Sequence, residues 1–328
     1  MNTDSSNIDF TTDLKKVKNI DPLFSNNNPF FLKGEFKVFK HCEDQVIAFK
    51  HPDYTSEGKS YVCFGYWSFK NEQDSRLCFE DLKAWAKSSG VDSILGPINF
   101  SSFHDYRLPL EDNSQVFLGE PRGSIDQLNF LQNEGYALFQ RYSTYYIKDP
   151  SRIYEWGKKR SKKILSQNSD FKAISFKDFN FNNRKDELYK LIHNIFESNL
   201  AYIKASDFEL NLLYNETVLS ELAKCPFFLV EDSKKNLLGL FMSFIGPNVF
   251  SKEPSSVLYF KTIGSIPSKT AYNPVFFFMI HEIYRSYEKL GMDIPISFAL
   301  MREGNVAEKV AKMFSDQKRS YGLFQLEF

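Results

Sequence analysis

The alternation of apolar and polar positions along this chain predicts the same series of elements twice. Residues 61–69 (YVCFGYWSF) are rich in aromatic and β-branched side chains, as is typical of a buried strand, and residues 257–266 have the same character. Each strand precedes a segment with apolar residues at helical spacing, which ends at Gly90 in the first case and at Gly291 in the second. A short strand, a second helix and a final strand follow in both places. The pattern therefore predicts two related α/β units.

Two pairs of short sequences support this duplication. Residues 82–92 (LKAWAKSSGVD) correspond to residues 283–293 (IYRSYEKLGMD), at an offset of 201. Residues 136–140 (YALFQ) return at residues 321–325 (YGLFQ), at an offset of 185. Two matches in the same order indicate a repeated structural unit with a shared geometry.

The predicted elements define a fold class and a domain organisation. The fold class is α/β (α+β), with two tandem domains that each hold a mixed, twisted sheet flanked by helices. The first domain covers residues 25–150 and the second residues 170–328, and the chain of 328 residues is long enough for both to bury a core. The polar N-terminus, residues 1–24, is expected to be disordered. A basic helix at residues 151–169 is expected to link the domains.

Charge and cysteine usage narrow the classes of function. Lys and Arg together number 41, as do Asp and Glu, so the chain lacks the basic excess that attracts nucleic acid, and nucleic acid is not expected as a main partner. The four cysteines show no metal-ligand spacing, so no metal is expected, and nothing resembles a secretory leader. Reduced thiols in a cytoplasm are the natural interpretation. No apolar run approaches the roughly 20 residues that span a bilayer.

Polar residues after the first short strand are compatible with nucleophilic chemistry. His104 and Asp105 follow Ser101 and Ser102, as the members of a catalytic triad could. The favoured interpretation is a loop that caps a helix or lines the domain interface. His281 lies inside a predicted helix and is interpreted as a half-buried structural histidine.

Other charged residues give no clear general base. Asp207, Glu209, Glu231 and Asp232 all lie in predicted loops, where a solvated surface charge is the favoured interpretation. The basic run at residues 158–163 is interpreted as the solvated face of a helix between the domains. Catalytic residues are therefore not assigned from the sequence.

Several short sequences carry a resemblance to a known family. They are NPFF at residues 28–31, GPINFS at 96–101, FLGEP at 117–121, KTIGSIP at 261–267 and GNVAEKVAKMF at 304–314. Together with the order of elements, they resemble the GNAT (GCN5-related N-acetyltransferase) fold, and in particular a poorly characterised group of bacterial proteins with two such domains in tandem. The resemblance covers residues 25–328.

The resemblance implies a place for a thioester donor. In this fold a long strand splays from its neighbour and offers backbone groups to the pantetheine arm, while the next loop and helix N-terminus face the pyrophosphate. That loop is normally rich in glycine, but residues 268–274 contain none, and Pro274 removes a donor. In the first copy, Glu72 and Asp74 would repel phosphate. The second domain is therefore expected to be the working half and the first to be degenerate.

Candidate residues for the donor follow from this comparison. The expected donor-binding residues are Thr262, Ile263, Gly264, Ser265, Ser268, Lys269, Thr270 and Asn305. Asn273 before Pro274 predicts a helix start, where backbone N–H groups converge. Lys269 would take over part of the phosphate binding that a glycine-rich loop normally provides, since an ammonium binds phosphate as a point charge. The tyrosine that normally donates a proton from the fourth helix has no counterpart after Asn305.

The resemblance implies an N-acyltransferase that moves an acyl group from acyl-CoA or an acyl carrier protein to the amine of a small molecule or peptide, and not an aminoacyl group. Positioning alone accelerates such a reaction, because an amine that attacks a thioester gains mainly from proximity. Two alternatives stay open. One is an aminoacyl-tRNA-dependent transferase, in which residues 158–163 would contact RNA phosphates. The other is a catalytically silent GNAT-like binding module, which the missing glycines and tyrosine favour.

Overall fold

The computed structural model describes residues 21–25, 27–56, 58–112, 115–166, 170–197, 199, 202–267, 273–289, 291 and 293–328. The strands are β1 (Glu35–His41), β2 (Asp44–Ser56), β3 (Lys59–Ser68), β4 (Ser93–Gly96), β5 (Leu108–Pro109), β6 (Ala137–Ile147), β7 (Lys172–Ser175), β8 (Phe227–Glu231), β9 (Leu237–Pro247), β10 (Ser256–Ser265), β11 (Ile296–Arg302) and β12 (Gln317–Glu327). The helices are α1 (Glu72–Ser88), α2 (Ile125–Asn133), α3 (Ser151–Leu165), α4 (Phe181–Phe196), α5 (Asp207–Leu213), α6 (Glu216–Leu222), α7 (Pro274–Lys289) and α8 (Val306–Phe314). Short 3₁₀ helices cover Pro29–Leu32 and Phe176–Asp178.

The strands of the described residues form one continuous mixed sheet, which agrees with the predicted α/β class. Its order is β1-β2-β3-β4-β12-β6-β11-β10-β9-β8-β7, and β5 adds a short ladder to β12. The pairs β3/β4 and β10/β11 are parallel, whereas β2/β3 and β9/β10 are antiparallel. Helices cover the sheet and bury its apolar residues in clusters on both halves.

The final strand of each half lies against the other half. β6 closes the first half in sequence, yet it pairs with β11 of the second half. β12 closes the second half, yet it pairs with β4 of the first. The two exchanged strands also pair with each other along most of their length. The segments 25–150 and 170–328 are therefore interlocked through their last strands and do not form two separate sheets.

The duplication seen in the sequence is present in the topology. The series β3-α1-β4-α2-β6 and β10-α7-β11-α8-β12 have the same order, and β3 and β10 make equivalent pairings. Gly90 and Gly291 follow the first helix of each series and have φ angles of 69° and 59°. This left-handed conformation favours glycine and commonly ends a helix. The predicted equivalence of the two strands and of the two helix ends is confirmed.

Two elements extend further than a simple sequence pattern suggests. Residues 51–56 belong to β2, whose pairing with β3 is irregular between Lys50 and Thr55. Pro52 lies in this irregular stretch, where a missing N–H breaks no regular ladder. The second extension is α5, which contains Asp207 and Glu209 and begins with a capping box at Ser206.

The described part of the N-terminal segment is ordered. Leu23 and Phe24 are only 2% and 4% exposed, and both pack in a core cluster with residues of β2 and β3. The expected disorder of residues 1–24 is therefore wrong for residues 21–24, because their apolar side chains complete the first core. Residues 1–20 lie outside the described part of the chain.

Helix α3, the predicted basic linker, packs closely on α7. Ile153 and Tyr154 are buried, and a Cβ atom at Gly157 would lie only 2.4 Å from Ile280 Cγ2. The exposed residues of its basic run are Lys158, Lys159, Arg160 and Lys162. The run is thus the outer face of a packed helix. Across the described residues, no helix has both the length and the apolar character needed to cross a membrane.

Candidate functional site

Strands β10 and β11 separate part of the way along the sheet. They pair only from Leu258↔Ile296 to Phe260↔Phe298, after which β10 continues beside β9 and β11 continues beside β6. The backbone groups of β10 that face β11 beyond this point have no strand partner within the described residues. A strand edge inside a protein needs hydrogen-bond partners, so this gap is a natural place for an extended ligand.

The equivalent gap in the first half is filled by the chain itself. β3 and β4 pair only from Tyr61↔Ser93 to Cys63↔Leu95. Beyond this point, Ile98 N–H donates to the Phe64 carbonyl at 2.6 Å, and Tyr66 N–H donates to Asn99 Oδ1 at 2.8 Å. The splayed strand of the first half therefore already has its partners.

The start of α1 in the first half holds an internal anion. Asp44 is fully buried, and its carboxylate accepts hydrogen bonds from Lys70 N–H at 2.6 Å, Asn71 N–H at 3.1 Å and Ser75 Oγ at 2.8 Å. A helix N-terminus with converging N–H groups is where a phosphate would bind. The carboxylate of Asp44 occupies that position, which gives a stronger reason for excluding phosphate than the exposed charges of Glu72 and Asp74.

In the second half the gap opens onto a cavity of about 460 Å³. Its walls come from both halves: β10 and β11 beyond their point of separation, the segment after β4, the FLGEP loop and residues near α4 and α5. This volume is within the usual range for small-molecule sites. Because the segment after β4 lines the cavity, the predicted position of His104 and Asp105 at the domain interface is correct.

The expected donor-binding residues fall into three groups. Thr262, Ile263 and Asn305 line the cavity. Gly264 instead packs against Ile195 of α4, where an added Cβ would come within 2.4 Å of Ile195 Cγ2. Ser265 Oγ accepts a hydrogen bond from Asn273 Nδ2 at 2.8 Å. The remaining residues, Ser268, Lys269 and Thr270, lie outside the described residues.

The helix start at Asn273 is confirmed, and two backbone N–H groups of the first helical turn already donate hydrogen bonds to the Asn273 side chain. Asn273 Oδ1 accepts hydrogen bonds from Val275 N–H at 3.1 Å and from Phe276 N–H at 3.4 Å, and α7 begins at Pro274. Asn305 caps α8 in the same way, since its Oδ1 accepts from Glu308 N–H at 2.6 Å. Both asparagines therefore stabilise helix termini, and Asn305 also faces the cavity.

His104 makes a polar contact that links the two halves. Its Nε2 lies 3.1 Å from Glu209 Oε1, and both side chains are largely buried. Burial raises the pKa of Glu209, but hydrogen bonds with His104 and Ser206 outweigh it, so the pKa is lowered overall. Ser101 Oγ accepts from Phe103 N–H, and within the described residues no serine hydroxyl bonds the His104 ring, so the geometry does not form a triad.

Two of the carboxylates interpreted as solvated surface charges are buried. Glu209 is 6% exposed beside His104, and Glu231, on β8, is 5% exposed and forms an ion pair with Arg184. Capping and strand pairing bring both residues inward, so the surface interpretation is wrong for them. His281 is half-buried in α7, which agrees with its structural interpretation.

Lys261 is a cavity residue that the sequence pattern did not single out. It lies where the β9/β10 register shifts, between Phe260 and Thr262, so a β-bulge turns it out of the regular alternation. Its Nζ lies near Gly119 of the FLGEP loop. Desolvation lowers the pKa of this ammonium, and the charge of Asp105 opposes the shift. Within the described residues, Lys261 Nζ makes no hydrogen bond or salt bridge.

The FLGEP loop forms one wall of the cavity and is held by a buried carboxylate. Glu120 accepts hydrogen bonds from Arg319 Nη1 at 3.1 Å, from the Tyr321 hydroxyl and from Phe117 N–H at 3.0 Å. Arg319 and Tyr321 belong to the exchanged strand β12. The exchange of strands therefore positions a first-half loop over a second-half cavity.

Phenols line the cavity although α8 supplies none. They are Tyr106, Tyr142 and Tyr214. Burial raises the pKa of Tyr214 to about 12. Tyr142 lies on β6, so it reaches this cavity only because the final strands exchange, a pairing that no local sequence pattern reveals.

Several solved structures have an arrangement of elements similar to that of this chain. One is a conserved protein from Enterococcus faecalis V583 described as a probable N-acyltransferase, with 10% identity, a TM-score of 0.47 and coverage of 87% of this chain and 58% of that chain. Another is a GCN5-related N-acetyltransferase from Sphaerobacter thermophilus, with 10% identity, a TM-score of 0.44 and coverage of 86% and 80%.

A tandem GNAT protein from the clavulanic acid biosynthesis pathway is also similar, with 8% identity, a TM-score of 0.44 and coverage of 90% of this chain and 83% of that chain. This chain spans less than two thirds of the Enterococcus structure. No family model matches the chain, and no curated protein matches it. The similarities concern the arrangement of elements and not the chemistry.

Proposed function

We propose that this protein is an N-acyltransferase whose acyl-thioester donor, acyl-CoA or an acyl carrier protein, enters between β10 and β11. The observation that carries the proposal is the contrast between the two halves. The gap after Phe260 and Phe298 opens onto a cavity of about 460 Å³, whereas the matching gap of the first half is filled by Ile98 and Asn99. The second half is then the working half, and the first supplies walls of the cavity.

The unpaired edge of β10 suits the pantetheine arm of a thioester. Such an arm carries amide groups, and these would add hydrogen bonds to the strand edge at Thr262 and Ile263. The acceptor amine would occupy the cavity beside the gap. The reaction forms an amide bond between the amine nitrogen and the acyl carbon, breaks the carbon–sulfur bond and releases the thiol with one proton.

Polar groups at the cavity could handle that proton. His104 with Glu209 and the phenol of Tyr142 both line or adjoin the cavity. Proximity of amine and thioester supplies most of the acceleration in such reactions. We therefore expect that replacing a single proton carrier slows acyl transfer less than blocking the gap does.

Blocking the gap tests the proposal directly. Thermal denaturation with acetyl-CoA, longer acyl-CoAs and acylated carrier protein identifies the donor that raises the melting temperature most, and calorimetry then measures its dissociation constant. Ile263→Trp adds bulk at the unpaired edge of β10 and should weaken donor binding at least about tenfold, or 1.4 kcal/mol. Ile245→Trp is the control, since Ile245 lies on neighbouring β9, is exposed and does not line the cavity.

The circular dichroism spectrum and melting temperature of each variant show whether the fold is retained. Equal donor affinity for Ile263→Trp and wild type would remove the gap as the donor site. Failure of every thioester to bind the wild-type protein would reject acyl transfer and favour a binding module.

A further inference from the structure

Arg107 is a buried cation at the cavity wall. Arg107 is 7% exposed and lines the cavity. Its Nε atom has no hydrogen-bond partner in the described part of the chain. Its φ angle is 89°, in the left-handed region that residues with a side chain rarely adopt. A residue with a strained backbone persists only where the surrounding structure holds it in place, and such residues cluster at ligand sites. Arg107 combines this strain with a buried N–H group that lacks a hydrogen bond.

Two tyrosine rings fix the orientation of this guanidinium. Its central carbon lies 3.6 Å from the ring centroid of Tyr106 and 4.1 Å from that of Tyr142. The two rings stand nearly perpendicular to each other, with centroids 5.6 Å apart. The rings approach the guanidinium from two different sides, and the N–H groups that they leave uncovered are the donors available to a ligand. A planar carboxylate is the group that matches such donors best, through two parallel hydrogen bonds.

No carboxylate of the protein pairs with Arg107 within the described residues. The Asp21 carboxylate already accepts hydrogen bonds from the Tyr66 hydroxyl at 2.7 Å and from Leu23 N–H at 2.9 Å. Glu209 is bonded to His104. Burial lowers the pKa of the Arg107 guanidinium, and the phenols of Tyr142 and Tyr321 oppose the shift. A buried charge without a counter-ion is costly, and an anionic ligand would relieve that cost.

We propose that Arg107 binds the carboxylate of the acceptor, so that the acceptor is an amino acid or a short peptide with a free carboxylate. This proposal rests on the proposed acyl transfer and names its acceptor class. Arg107 belongs to the segment after β4, a first-half wall of the cavity, whereas the strand edge assigned to the donor belongs to β10.

Acidic groups at the cavity match the amine end of such a molecule, whereas the other lining cations, Lys261 and Arg302, belong to β10 and β11. Asp105 lines the same cavity, and the His104–Glu209 pair adjoins it. An amine is attracted to these acidic groups, whereas its carboxylate is attracted to Arg107. A cavity of about 460 Å³ holds a single amino acid or a dipeptide more readily than a folded protein surface.

Binding without any acyl donor tests the carboxylate site separately from acyl transfer. The full chain is melted at low salt with each of the common free amino acids, with Gly-Gly and Ala-Ala, and with the C-terminal amides of the same compounds. We expect at least one free acid to raise the melting temperature, and its amide to bind at least about tenfold more weakly by calorimetry. Arg107→Gln should remove that difference between acid and amide.

Two further variants separate recognition from folding. Arg107→Lys keeps the positive charge but lacks the planar set of N–H donors. It should bind the acid more tightly than Arg107→Gln does and more weakly than the wild type does. Arg122→Gln is the matched control, because Arg122 is exposed on the connection between β5 and α2 and does not line the cavity. It should bind the acid as the wild type does. A structural role of Arg107 alone would weaken binding of acid and amide equally.

Several outcomes would overturn the proposal. One is equal binding of acids and amides, and another is the absence of binding by every free acid tested. A third is that Arg107→Gln weakens binding of succinyl-CoA but not of acetyl-CoA. Arg107 would then bind a carboxylate on the acyl group of the donor and not the carboxylate of the acceptor. If a free acid binds through Arg107 while no thioester binds the protein, acyl transfer fails and the carboxylate site remains.

Discussion

The buried carboxylate of Asp44 provides the sharpest test of whether the start of α1 is closed to an external anion. Its oxygens accept hydrogen bonds from Lys70 N–H, Asn71 N–H and Ser75 Oγ, all between 2.6 and 3.1 Å. The residue is 0% exposed, so water does not replace these bonds in the folded protein without rearrangement. The carboxylate also lies at the positive end of the α1 dipole.

Asp44→Ala removes the acceptor of all three bonds and leaves two backbone donors unpaired. Hydrogen bonds to a charged group contribute about 1.5–3 kcal/mol each, and buried donors without a partner add a similar cost, but these contributions overlap. We expect the free energy of unfolding to fall by about 3–5 kcal/mol, a large share of the roughly 5–15 kcal/mol of a typical domain. Asp44→Asn keeps one acceptor oxygen and should lose less.

Urea denaturation, followed by circular dichroism and tryptophan fluorescence, measures this loss. Trp67 is a local reporter because its Nε1 lies 3.4 Å from Ser75 Oγ. Asp81→Ala is the matched control on the same helix, since Asp81 is 59% exposed and pairs with His41, an interaction worth about 0–1 kcal/mol. A loss below about 1 kcal/mol for Asp44→Ala would refute the reasoning, because surface substitutions reach that size.

Added phosphate gives a second measurement on the same variant. If Asp44 occupies a former phosphate position, the freed N–H groups of Asp44→Ala should bind an anion from solution. At matched ionic strength, phosphate should then stabilise the variant, relative to chloride, by more than it stabilises the wild type. Equal stabilisation of both proteins would mean that the site cannot accept an external anion.

A further prediction concerns the second half. Lys269→Glu should weaken donor binding more than about tenfold by calorimetry, whereas Lys70→Glu should do little, because Asp44 already occupies the N–H groups there. A defect confined to Lys70→Glu would move donor binding to the first half.

Local sequence patterns were sufficient for most elements of this fold. The repeated strand, helix and strand, the helix start at Asn273 and the glycines at 90 and 291 all depend on interactions within a few residues, such as side-chain caps and left-handed helix ends. The capping box at Ser206 is a local pattern as well, and α5 could have been predicted from it. Thr262, Ile263 and Asn305 line one cavity, because the order of elements brings the end of β10 beside the start of α8, and their role in donor binding stays a prediction.

The composition of the cavity depends on contacts between residues far apart in the chain. The sequence pattern indicated two related α/β units, and the resemblance to the GNAT fold indicated the strand that separates from its neighbour. The sequence did not indicate that β6 and β12 exchange places, which brings Tyr142 and the FLGEP loop to the second half. Nor did it indicate that Arg107 lies between two tyrosines or that Asp44 fills the start of α1. Strand exchange leaves the local hydrophobic pattern unchanged, since either partner buries the same face, and only the packing of the whole sheet selects one pairing.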